Sequence, residues 1–125
     1  MSLLALLLIL AGVLLNAIAQ LLLKMAVRGM GPIALSPETL LRSGWALMQN
    51  PYILGGLACY AVSLVVWILA LSRVEVSLAY PMLSLGYVVT AIGAWVFFSE
   101  RLEPLQWLGI LVIIAGVVLL ARGNQ

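Results

Sequence analysis

A chain of 125 residues that is 66% hydrophobic and only 8% charged is not an ordinary soluble domain, for which about 45–50% and about 25% are usual. So short a chain cannot hide that much apolar surface in its own core, so lipid must cover it. The net charge of +2 is scattered and gives no nucleic-acid footprint, and with no histidine and one cysteine (Cys59) the chain has neither an internal disulfide nor a metal-ligand set.

The ten charges are Lys24, Arg28, Glu38, Arg42, Arg73, Glu75, Glu100, Arg101, Glu103 and Arg122, and between them lie four uncharged stretches, 1–23, 43–72, 76–99 and 104–121. A bilayer core about 30 Å thick takes roughly 20 residues of apolar helix. The charge map therefore predicts an all-α integral membrane protein, four transmembrane helices in an antiparallel up-down bundle. The apolar runs are too long for β-spans and do not alternate.

Span 1 covers about residues 2–23. Ala17-Ile18-Ala19 has the look of a signal-peptide cleavage site, but no basic segment precedes Leu3 and Leu21-Leu22-Leu23 carry the apolar run onward, so an uncleaved span is expected. Asn16, Gln20 and Lys24 are spaced four apart, which keeps them within about 80° of one another on a helix, and Gly12 and Arg28 extend the stripe. Two carboxamides within a lipid span face protein or water. They either hydrogen-bond a neighbouring helix or line a path for a substrate head group. Lys24 either snorkels to the interface or binds.

The first loop, residues 24–50, holds Gly29, Gly31 and Pro32 and then Ser36-Pro37-Glu38, the order of an N-cap and first helical turn. Leu41, Trp45 and Met48 share one face, with Glu38, Arg42 and Gln49 beside it. A short amphipathic helix on the membrane surface is expected over 36–49, with an ordered solvated loop as the alternative.

Span 2 covers about 51–71 and opens on Pro51. Gly56, Tyr60, Ser63 and Trp67 share a face. Span 3 covers about 76–98, and Ser77, Tyr80, Ser84, Tyr87 and Ala91 form its polar stripe. Pro81 removes a backbone hydrogen bond in mid-span, and with Gly86 it predicts a kink or hinge. These three faces are expected to converge on one interior cavity; the plainer alternative is that the tyrosines are core. Span 4, about 104–121, starts at Pro104 and is followed by Gly123, a helix-stop residue. Gly109 and Gly116, seven apart, mark a close-packing face, either between subunits or within one.

Trp45, Trp95 and Trp107 sit where interfacial anchors belong. The first and third loops carry Lys24, Arg28, Arg42 and Arg101 against Arg73 and Arg122 on the other side, a small excess that favours the former as cytoplasmic. The chain has no internal tandem repeat, whereas many transporters are built from two similar halves. A dimer is therefore expected, with a second copy or a similar small subunit. No catalytic constellation is present, so neither an enzyme nor a cofactor is expected.

The runs ALSRVEVSLAYPMLSLGY (70–87) and FSERLEPLQWLGILVIIAGV (98–117) resemble the drug/metabolite transporter superfamily, in particular an EamA-type half, and span 1 with Ala19-Gln20 and Lys24 resembles the opening helix of its four-helix members. Two four-helix branches compete. The small multidrug resistance family carries an essential glutamate eight residues before the span 1 lysine, where this chain has Asn16. It also has a tryptophan three residues after the span 3 tyrosine, where Leu83 follows Tyr80. The other branch is the small subunits proposed to flip undecaprenyl-phosphate-linked aminoarabinose, which are similar through Ala79-Tyr80-Pro81-Met82-Leu83-Ser84-Leu85. That resemblance implies a bacterial inner-membrane subunit translocating a polyprenyl-phosphate-linked sugar. Lys24 and Arg28 would then meet the phosphate, and Asn16, Gln20, Tyr60, Ser63, Tyr80, Ser84 and Tyr87 the head group. The cavity is expected to hold no acid, with Lys24 its nearest fixed charge. The alternatives are a multidrug or small-metabolite exporter of the same fold and a non-transporting assembly subunit.

Overall fold

The computed structural model describes residues 2–28 and 30–123; Gly29 lies outside them. The helices are α1 (Leu3–Arg28), α2 (Pro37–Met48), α3 (Pro51–Leu71), α4 (Val76–Met82), α5 (Ser84–Phe98) and α6 (Pro104–Gly123). Taking α4 and α5 as one broken span, four are long and apolar enough to cross a membrane.

Local chemistry explains the starts. Ser2 Oγ accepts from the Ala5 N–H, Ser36 Oγ from the Thr39 N–H, and Asn50 Oδ1 from the Tyr52 N–H, each satisfying a donor that the first helical turn leaves orphaned. Pro37 and Pro51 follow the latter two caps as first-turn residues. At α6 the Glu103 N–H donates to Gln106 Oε1 at 2.7 Å, the reach-back half of a capping box.

Two spans run further than the charge map predicted. α1 continues past Leu23 to Arg28, and α6 past Ala121 to Gly123. Hydropathy marks where lipid ends, not where helix ends, and Lys24 and Arg28 stand exposed on the last turns of α1.

α1 is the central helix, packed along α3 on one side and against α4 and α5 on the other, with α6 outside α4 and α5. Close approach requires glycine at the α1–α3 seam. A methyl group on Gly56 would lie 3.2 Å from the Ala19 carbonyl oxygen and 3.1 Å from a Leu23 methyl. In lipid, where helices gain no hydrophobic advantage from associating, such contact is a main source of cohesion. The tightest core gathers at the end of the bundle that carries the start of α1 and the end of α6. Ile9 and Val13 meet Ala70, Leu78, Ala79, Met82 and Val117 there.

Span 3 is interrupted at Leu83. The Leu83 N–H bonds the Tyr80 carbonyl and the Gly86 N–H bonds the Leu83 carbonyl, both three residues back. These are tight turns of the kind that follow a proline-induced break. Gly86 is buried against α1, where an added methyl would lie 3.4 Å from a Val13 methyl.

α2 is the amphipathic helix expected in the first loop. Leu41, Trp45 and Met48 are exposed and do not pack on the bundle. At the other loop Trp95 and Trp107 stack edge to face at 5.5 Å.

Candidate functional site

A cavity of about 580 Å³ opens between α1 and α5. Val13, Leu83 and Gly86 form its floor. Asn16, Gln20, Tyr87, Thr90 and Ala91 form its walls, and Ala94 and Glu100 its rim. It is a half-open cleft, since Gln20 and Tyr87 are exposed. α1 and α5 run in the same direction, so the rim lies at the end of the bundle carrying the first and third loops. The floor rests on the tight core, so the cleft opens to one side only.

A second cavity of about 80 Å³ lies between α1 and α3, bounded by Gly12, Asn16, Tyr60, Ser63, Leu64, Trp67 and Leu83. The two share Asn16 and Leu83. Among the described residues neither Asn16 nor Gln20 makes a side-chain hydrogen bond to protein, and both amides are left facing the cleft. The Ser63 hydroxyl is engaged, donating to the Tyr60 carbonyl at 2.7 Å.

The three polar faces thus do not form one cavity. Asn16, Gln20 and Tyr87 line the cleft, and Tyr60 and Ser63 border the smaller space with Asn16. Tyr80 and Ser84 belong to neither, and Tyr80 is 63% exposed. The span is interrupted at Leu83 between Tyr80 and Tyr87, and of the two only Tyr87 lines the cleft.

The expectation that the cavity holds no acid is also corrected. Glu100 lies on the rim, with Oε1 4.0 Å from Lys24 Nζ and both side chains about half exposed, at 48% and 52%. Its place follows from the end of α5. Ser99 is left-handed at φ 55°, and the N–H groups of Ser99 and Glu100 both turn back to the Ala94 carbonyl. A carboxylate from a loop is thereby fastened over the cleft. Arg28 lies over the Phe98 ring at 5.3 Å, a cation–π contact, and not in the cleft lining.

Thr90, Leu83 and Glu100 were missed as lining residues. Thr90 continues the three-and-four spacing beyond Tyr87 and was open to that extension. Leu83 carries no polar signal, and Glu100 lies outside any helix.

Four apolar spans with a polar cleft between α1 and α5, and Asn16 and Leu83 shared with a second cavity, fit a helical membrane transporter subunit. The chain belongs to the EamA-like transporter family, whose pattern matches residues 35–122. It is 38% identical over 117 residues to a protein of Pseudomonas savastanoi pv. phaseolicola named "Probable 4-amino-4-deoxy-L-arabinose-phosphoundecaprenol flippase subunit ArnE", covering 93% of this chain and 96% of that one. A protein of the same name from Salmonella typhimurium is 41% identical over 64 residues, 51% of this chain and 58% of its own. No solved structure matches. The chain is thus a multi-pass transporter or flippase subunit of the bacterial inner membrane and not an enzyme.

Proposed function

We propose that this subunit moves a polyprenyl-phosphate-linked sugar between leaflets, with the α1–α5 cleft holding the head group. The observation that carries this reading is the cleft itself, which has polar side chains on both walls, is half-open at the side and is floored by the apolar core. Asn16 and Gln20 offer free amides to sugar hydroxyls, and Tyr87 and Thr90 add hydroxyls opposite. Lys24 at the rim, with Arg28 one turn further, supplies positive charge for a phosphate near the interface. The polyprenyl chain remains in lipid beside the exposed lip. Tyr80 and Ser84 stand outside the cleft and take a part only if the broken span turns. The break at Leu83, flanked by Pro81 and Gly86, is the hinge on this reading.

The test is transfer of a labelled undecaprenyl-phosphate amino sugar in proteoliposomes. Protein-dependent transfer is expected, and Lys24→Ala should slow it about tenfold, the low end of the about 1.5–3 kcal/mol for a hydrogen bond to a charged group, because Lys24 is half exposed. No transfer above empty liposomes, by the chain alone or with a similar small subunit, overturns the reading. Transport of lipophilic cations driven by a pH gradient would instead favour an exporter.

The subunit is proposed to act as a dimer through α6. Only Ile110 and Val117 of this helix are buried, and nothing lies within 4 Å of where a methyl on Gly109 or Gly116 would sit. The glycines therefore do not serve packing within the subunit, and their face is available to a second copy or a sibling subunit. Gly109→Leu together with Gly116→Leu should convert crosslinkable dimer to monomer without lowering the thermal midpoint of the subunit. Unchanged crosslinking removes α6 as the interface.

A further inference from the structure

We infer that Glu100 is a specificity residue, selecting head groups that carry a cationic amine as well as a phosphate. This rests on the proposed reading of the cleft as a head-group site and adds the residue that reads the sugar. Three observations lead to it. Among the described residues Glu100 is the only charged one in the cleft lining. Its backbone is held on the rim by the left-handed Ser99 and the two bonds to the Ala94 carbonyl. Its partner Lys24 is 4.0 Å away, at the limit of an ion pair, with both groups about half exposed. Such pairs contribute little to stability, so this one opens at low cost.

The two charges form a balanced set for exchange. A phosphate arriving at the rim draws Lys24 away from Glu100. If the head group is otherwise neutral, the half-exposed carboxylate gains no partner in place of Lys24. If it also carries an ammonium, that group takes the place of Lys24, and two opposite charges on the protein meet two on the ligand. The name borne by the relatives describes such a molecule, an amino sugar joined through phosphate to a polyprenol. The carboxylate therefore favours amino sugar lipids over neutral ones, since specificity is a difference of affinities.

The test uses the full chain in nanodiscs and two probes, undecaprenyl phosphate carrying 4-amino-4-deoxyarabinose and the same lipid N-acetylated at that amine. Native mass spectrometry with titration reads both affinities. The wild type is expected to prefer the free amine by roughly tenfold, a ratio equivalent to about 1.4 kcal/mol. Glu100→Gln should bring the ratio close to one by weakening the amine lipid alone, and Glu100→Asp should keep most of the preference. A wild type that binds both probes equally, a Glu100→Gln variant that keeps the preference, or one that loses both lipids together each overturns the assignment. If the wild type binds neither probe, the head-group reading of the cleft fails first, an outcome distinct from lost selectivity.

Discussion

Gly56→Leu is expected to cost the subunit its folded form, the largest stability effect of any single change considered. The α1–α3 seam closes at this point, with the Ala19 carbonyl oxygen 3.2 Å from where the new Cβ would lie. A backbone oxygen cannot swing aside, so α1 and α3 must separate along the most extensive contact in the bundle. Overpacking of this kind costs about 1–3 kcal/mol and occasionally more. Gly56→Ala would be milder, because alanine recovers about 1 kcal/mol of helix propensity and its one carbon requires only a small shift. Thermal unfolding in detergent, followed by size-exclusion chromatography, should rank wild type and Gly109→Leu together, Gly56→Ala slightly lower and Gly56→Leu far below. A Gly56→Leu protein that melts with the wild type would mean that the two helices do not meet as described.

The largest functional effect is expected at Asn16. It is the one polar side chain that borders both cavities, and its amide is unspent on protein. Asn16→Leu should slow lipid transfer by about tenfold to a hundredfold, the equivalent of leaving a buried polar group of the substrate unpaired at about 1–3 kcal/mol. Stability should hold or rise, because an apolar side chain in mid-span is less costly than a carboxamide. The two roles open to Asn16 from its sequence separate here. An amide that ties helices together would lower the melting temperature when removed and leave transfer to follow stability. Transfer at the wild-type rate would end the head-group role.

The spans were legible because lipid is a demanding solvent: charges mark its edges, and they bound every spanning helix except at the start of α1. Ser36-Pro37 and Pro51 announced their helix starts, while the cap supplied by Asn50 appears only in the structure. Pro81 announced a break in span 3, though the interruption falls at Leu83. What could not be read was the relation between faces. Tyr80 and Tyr87 share a face on paper, yet only Tyr87 lines the cleft, because spacing along one helix does not say over what length that face meets its neighbour. Glu100 was invisible as a cleft residue because its position depends on one backbone angle, at Ser99, that neither composition nor periodicity encodes. Gly56 and Gly109 look alike in sequence, yet one is pressed against a backbone and the other faces open space.

The floor of the cleft has an electrical consequence. Val13 of the floor packs with Ile9 and Met82, each no more than 2% exposed, in the apolar core beneath it. A packed apolar layer of this kind gives ions and protons no wet path at this end of the bundle.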